Sequence, residues 1–187
     1  YSSLGQVALL FTAFAMQNEN AIQAALFIVL SHSFAKFIIF LALTSIEKEH
    51  KSMHIDTLKE LHSPFLRAIM LIAMLSLLGI PLFAGFIGKF LALKSFAVEG
   101  MFTVLVIIII GSLIEAVYYF KLAGFMFEKG EKREPLKISL GQKALFGFLA
   151  LALIIIGIAP MTISGFLLDA GSVMLDAKSY VTMLVGG

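Results

Sequence analysis

His32 and Lys36 stand four residues apart, so on a helix both side chains leave the same face. An imidazole and an amine so placed form a ladder on which a proton can step, since each can take up and release one. The plainer alternative is that Lys36 pairs with a carboxylate elsewhere and holds two helices together. Lys89 follows Gly79-Ile80-Pro81 and Gly85-Phe86-Ile87-Gly88. Glycines and a proline beside a charge are what a discontinuous helix needs, its freed backbone groups facing an ion or water path. The alternative is a lysine that snorkels to the interface, which Lys94 and Glu99 fit better. Glu115 shares a face with Gly111 and Ser112 before it and with Tyr118 and Tyr119 after it. Such a carboxylate can partner Lys89, gate an exit, or serve as a packing ion pair.

The surroundings give these four groups their weight. The chain has 187 residues, 60% of them apolar and 14% charged, with a mean hydropathy of +1.00. A water-soluble domain runs nearer about 45–50% apolar and 25% charged, so a soluble globule is excluded. Of the 26 Lys, Arg, Asp and Glu residues, eight lie in 47–67 and eight in 128–143, which marks water-facing loops between buried runs. An ionisable group at mid-membrane costs about 2.5–3.5 kcal/mol, and each Leu or Ile returns only about 0.3–0.6 kcal/mol. Groups kept there at that cost line water or pair with one another.

Six apolar segments position them. Residues 4–16 form a short first span and 20–46 a long second one carrying His32 and Lys36. After a polar loop over 47–63, Pro64 opens a third span, where its missing N–H costs least. That span ends at Gly79-Ile80-Pro81, and Gly79, Pro81, Gly85 and Gly88 are expected to make the break. A shorter fourth segment, 83–98, carries Lys89; the fifth, 102–127, carries Glu115; the sixth covers 143–168 and a weakly amphipathic tail follows. Backbone groups in lipid need internal partners, and long unalternating apolar runs do not resemble barrel strands. The fold class is therefore all-α, a polytopic membrane bundle of about six spans with one discontinuous near Pro81–Lys89.

Loop 128–143 holds five Lys or Arg against three in 47–64, so the positive-inside rule places 128–143 in the cytoplasm. Zero cysteines exclude thiol and iron–sulfur chemistry. Four histidines with no His/Asp/Glu cluster at ligand spacing point to no metal site and no other cofactor. No basic stretch interleaves with aromatics, so nucleic acid is not a partner. No span offers the cluster of polar groups a small organic substrate needs. Beginning at Tyr1, inside membrane-type sequence, the chain reads as a piece of a longer polypeptide.

Four stretches together resemble one family: Tyr1-Ser2-Ser3, Leu30-Ser31-His32-Ser33-Phe34-Ala35-Lys36, Leu77 to Phe90 (LLGIPLFAGFIGKF), and Glu115-Ala116-Val117-Tyr118-Tyr119-Phe120-Lys121. The family is the antiporter-like subunits shared by respiratory complex I, Mrp-type Na+/H+ antiporters and membrane-bound hydrogenases. The resemblance covers nearly the whole chain and only the second half of the family's usual length. It implies a second inverted-repeat unit plus closing helix over 1–168 and a tail over 169–187. It also implies that Lys89 matches a terminal half-channel lysine on a broken helix and that His32 and Lys36 match a central-axis pair. Glu115 resembles an acidic residue of the Mrp and hydrogenase branches. Where some members have a second histidine, this chain has Ile28. The family's first half-channel glutamate–lysine pair is absent from this sequence and belongs either to a preceding segment or to another subunit; the implied partners are other membrane subunits, among them one carrying that half-channel in the second case, and lipid.

The expected function is an ion-translocating membrane subunit of a multisubunit redox or hydrogenase complex in the cell membrane, with protons, or protons exchanged for Na+, moving along His32, Lys36, Lys89 and Glu115. No catalytic chemistry is expected in the chain itself. A subunit of a stand-alone Mrp-type antiporter and a half-transporter kept as scaffold are the alternatives.

Overall fold

The computed structural model describes residues 2–50, 58, 63–128 and 138–176. These form seven helices and no strand: α1 (Ser2–Ala15), α2 (Glu19–His50), α3 (Pro64–Leu78), α4 (Ala84–Val98), α5 (Phe102–Phe127), α6 (Leu140–Ile158) and α7 (Met161–Leu175). Most of the residues of the 47–63 loop, residues 129–137 of the 128–143 loop, and 177–187 of the tail lie outside the described residues.

Three helical stretches, Glu19–Lys48, Phe102–Phe127 and Leu140–Ile158, are long and apolar enough to cross a membrane. Together with the shorter apolar helices they make an all-α, multi-pass membrane bundle. At 1.5 Å per residue the 32 residues of α2 extend about 48 Å, more than the roughly 30 Å of a bilayer's hydrocarbon.

Local sequence explains where the elements start and stop. Ser63 caps α3, its hydroxyl accepting from the Leu66 N–H at 3.4 Å, and Pro64 takes the first helical position. Gly79 closes α3 with a left-handed φ of +78°. Its N–H donates to the Ser76 carbonyl at 3.0 Å and that of Ile80 to Leu75 at 3.1 Å, a Schellman ending. Pro81 then cannot resume the helix. A capping box between Ser139 and Gln142 starts α6.

Two expectations need correction. Gly85 and Gly88 do not form the break: both are helical residues of α4, and the interruption spans Gly79–Phe83. Their role is close approach. A Cβ on Gly85 would collide with the Ser76 carbonyl, and one on Gly88 would lie 2.8 Å from the Ile28 side chain and 2.9 Å from its backbone nitrogen. The expected sixth span over 143–168 is in fact two helices, because Pro160 has no N–H for the α6 ladder. An unbroken run of apolar residues hid that interruption, and α7 carries helix past 168 to Leu175.

The second helix is the hub, packing against α1, α3, α4, α6 and α7. Ala21, Ala24, Ala25, Ala35 and Ala42 are wholly buried along it, and small residues let helix backbones approach in a membrane protein. The main core gathers Phe27, Ile38, Leu66, Met70, Phe146 and Leu153, and a smaller one joins Leu9 and Ala13 of α1 to Ala92 and Phe96 of α4. The two interruptions are neighbours: Gly157 lies so close to the Leu82–Phe83 backbone that a Cβ there would collide with it.

Candidate ion-path site at the broken helix

A helix that stops inside a bundle leaves carbonyls without intrahelical donors. The Schellman bonds use Leu75 and Ser76, leaving Leu77 and Leu78 exposed to whatever packs there. Lys89, one turn into α4, reaches back so that its Nζ donates to the Leu78 carbonyl at 3.3 Å. Gln6 of α1 donates its Nε2 to Leu77 at 3.2 Å. A cation at a helix C-terminus is favoured by the helix dipole. The sequence folds this way because Gly79 provides the turn, and a Cβ there would press on Lys89 Cδ at 2.8 Å.

Lys89 is 8% exposed and Glu115 7%. A charge so buried needs a partner and further hydrogen bonds. Both are present: Lys89 Nζ meets Glu115 Oε2 at 2.8 Å. The same carboxylate accepts from Gln6 Nε2 at 2.8 Å on Oε2 and 3.0 Å on Oε1. Tyr118 donates to Oε1 at 3.2 Å and Ser2 at 3.5 Å.

Ser2 extends the network to α2. Lys36 Nζ donates to Ser2 Oγ at 3.0 Å, and the Ser2 hydroxyl also bonds that of Tyr119. Lys36, Ser2, Glu115 and Lys89 therefore form one connected row of polar side chains from α2 through α1 and α5 to α4. Beside it, between α1 and α5, lies a cavity of 510 Å³ whose walls include Gly5, Ala8, Ile108 and Gly111 and whose polar end is Gln6, Glu115 and Lys89.

Of the four sequence candidates, Lys89 and Glu115 are in contact and Lys36 is joined to them through Ser2. His32 is not: its Nδ1 is buried with no hydrogen-bond partner among the described residues. Gln6 was not singled out from the sequence, and Ser2 only as part of a motif. A signal was available. Gln6, Leu9 and Ala13 form the buried stripe of α1, and half-buried Ser2 falls on the same face at helical spacing, so two polar residues lie on that face.

The sequence profile of the NADH:quinone oxidoreductase/Mrp antiporter transmembrane family matches residues 1–115. NADH-quinone oxidoreductase subunit N 2 of Syntrophobacter fumaroxidans is 29% identical over 86% of this chain and 35% of its own length. Its counterpart from Hydrogenobaculum is 30% identical over 86% of this chain and 36% of its own. Among solved structures, a chain of the membrane-bound sulfane sulfur reductase, an archaeal respiratory membrane complex, superposes with a TM-score of 0.88. It is 29% identical, over 97% of this chain and 38% of that one. A chain of respiratory complex I from Thermus thermophilus gives 0.68 at 27% identity, over 88% of this chain and 42% of that one. The chain thus spans roughly a third of the length of the curated relatives it matches.

Proposed function

This chain belongs to the NADH:quinone oxidoreductase/Mrp antiporter transmembrane family, and on that footing we propose that it is an ion-translocating membrane subunit of a multisubunit energy-converting complex. The observation that carries this reading is the buried Lys89–Glu115 pair, set on the exposed carbonyls of a broken helix and joined through Ser2 to Lys36. Intramembrane ionisable groups arranged in a row are, by default, a pathway.

The proton is the ion this row suits. The Lys36 ammonium passes a proton to Ser2 Oγ while the Ser2 hydroxyl hydrogen passes to Glu115 Oε1. Lys36 is left a neutral amine and Glu115 a neutral carboxylic acid, so Lys89 loses its counter-charge and is freed to give up its own proton. His32, one turn from Lys36 on α2 and without a hydrogen bond to the row among the described residues, is the candidate source of the next proton for that amine. The partners are further membrane subunits, with lipid around the apolar outer faces. The complex lies in the cell membrane with loop 128–143 on the cytoplasmic side, a placement supported by its excess of lysine and arginine.

The test is ion pumping by the intact complex in vesicles, native against Lys89→Ala at equal assembly. Loss of pumping is expected. Unchanged pumping would make Lys89 a structural charge and the chain a scaffold, and dependence on added Na+ would make the exchange of Na+ for protons the function.

A further inference from the structure

Tyr119 is 4% exposed; its ring packs into the main core and its hydroxyl meets that of Ser2. Among the described residues the phenol has no other hydrogen-bond partner. Ser2 Oγ, half-buried at the start of α1, has three: Tyr119, Lys36 Nζ at 3.0 Å and Glu115 Oε1 at 3.5 Å. A hydroxyl has one hydrogen to give and two lone pairs on which to receive. An ammonium only donates and a carboxylate only accepts, so Lys36 fills one lone pair and the Ser2 hydrogen goes to Glu115. The second lone pair is left for Tyr119, which is therefore the donor. Were Ser2 to donate to the phenol instead, the phenol's own hydrogen would be buried without an acceptor, and two bare oxygens would face each other between Ser2 and Glu115.

The same count holds after a proton has passed. An N–H bond of Lys36 breaks as an O–H bond forms on Ser2, and the former Ser2 O–H bond breaks as one forms on Glu115 Oε1. Ser2 then gives its new hydrogen to the Lys36 amine and receives one from the Glu115 carboxyl. In both states the oxygen receives two hydrogens and gives one, and Tyr119 donates throughout without losing its proton. Tyr118, the neighbouring phenol, is committed to Glu115 Oε1 at 3.2 Å.

We propose that Tyr119 is a fixed donor that holds Ser2 Oγ between Lys36 and Glu115 and stabilises that oxygen as its hydrogen departs. Without the phenol hydroxyl, Ser2 settles on Lys36, the nearer of its two remaining partners, and its contact with Glu115 lengthens. The proposal rests on the reading of the row as a proton path.

The test is pumping by the intact complex in vesicles, in ordinary and in heavy water, for native protein and for Tyr119→Phe, which keeps the ring in the core. Pumping is expected to fall on the order of tenfold, the loss of one hydrogen bond at the transferring oxygen. It is also expected to become more sensitive to heavy water, because this transfer then sets the rate. Unchanged pumping overturns the proposal, and so does a fall with native sensitivity to heavy water, which marks damage to packing alone. The infrared C–O stretch of isotope-labelled Tyr119 in native protein, which separates donating from accepting phenols, decides the point even if the variant does not assemble: a donor is expected, and an acceptor overturns the assignment. Lys89→Ala runs alongside. Pumping that survives Lys89→Ala defeats the ion-path reading, whereas pumping lost there and unchanged in Tyr119→Phe defeats the role of Tyr119 alone.

Discussion

Lys89 and Glu115 hold each other across 2.8 Å although they lie 26 positions apart, on the two consecutive helices α4 and α5. Neither has another full charge of opposite sign among its hydrogen-bond partners: Lys89 otherwise meets the Leu78 carbonyl, and Glu115 an amide and hydroxyls. Each is therefore the condition for the other's burial.

Removing one member is expected to cost more than removing both. Lys89→Met alone leaves a buried carboxylate unpaired, a loss of about 3–5 kcal/mol, while a neutral, well-packed pair is close to the native value. Thermal unfolding of Lys89→Met, Glu115→Gln and the double variant in detergent checks this. The double variant should unfold nearer to native than Lys89→Met does, yet pump nothing.

Ser2 is the joint between Lys36 and Glu115. Ser2→Ala is expected to lower pumping by roughly a hundredfold, at the low end of what a positioned proton-transfer group contributes. Ser2→Thr, which keeps the hydroxyl, should restore most of it. Equal pumping by the alanine variant would take Ser2 out of the path.

Glycine substitutions should sort by what a Cβ meets. Gly85→Ala drives a methyl into the Ser76 carbonyl, so loss of assembled protein is expected. Gly111→Ala meets nothing within 4 Å and should assemble normally. Expression and size-exclusion profiles of the two give the comparison.

Gly157 lies against the backbone of the α3–α4 break, where Leu82 already adopts a left-handed φ of +82°. Gly157→Ala is expected to push the break and disturb the seat of Lys89. A fall in pumping, together with faster hydrogen exchange at Ile80 and Phe83, would be the result; Gly147→Ala on the same helix, with open space at its Cβ, is the control.

Much of this was legible from residues alone. Lys89 and Glu115 stood out because charge in an apolar run is costly, and Gly79-Ile80-Pro81 marks a stop whatever surrounds it. The pairing of Lys89 with Glu115 was one of several options, because spacing along one helix says nothing of what faces it from another. Gln6 and Ser2 were hidden for a different reason: neutral polar residues are cheap, so neither raised a question until the fold brought both onto one carboxylate. Gly85 and Gly88 look like breakers in sequence, and only the nearness of Ser76 and Ile28 shows that their absent side chains are used for packing. Pro160 was masked by the hydrocarbon on either side of it.

The seclusion of the Lys89–Glu115 contact bears on the medium in which the protein works. Mobile ions weaken attractions between exposed charges over about 8 Å at physiological ionic strength, but they have little access to a buried pair. The strength of this contact is thus fixed by the helices that enclose it and is nearly the same in dilute buffer and in brine. A cell could let its salt content swing widely without retuning the step at which this lysine is held or let go.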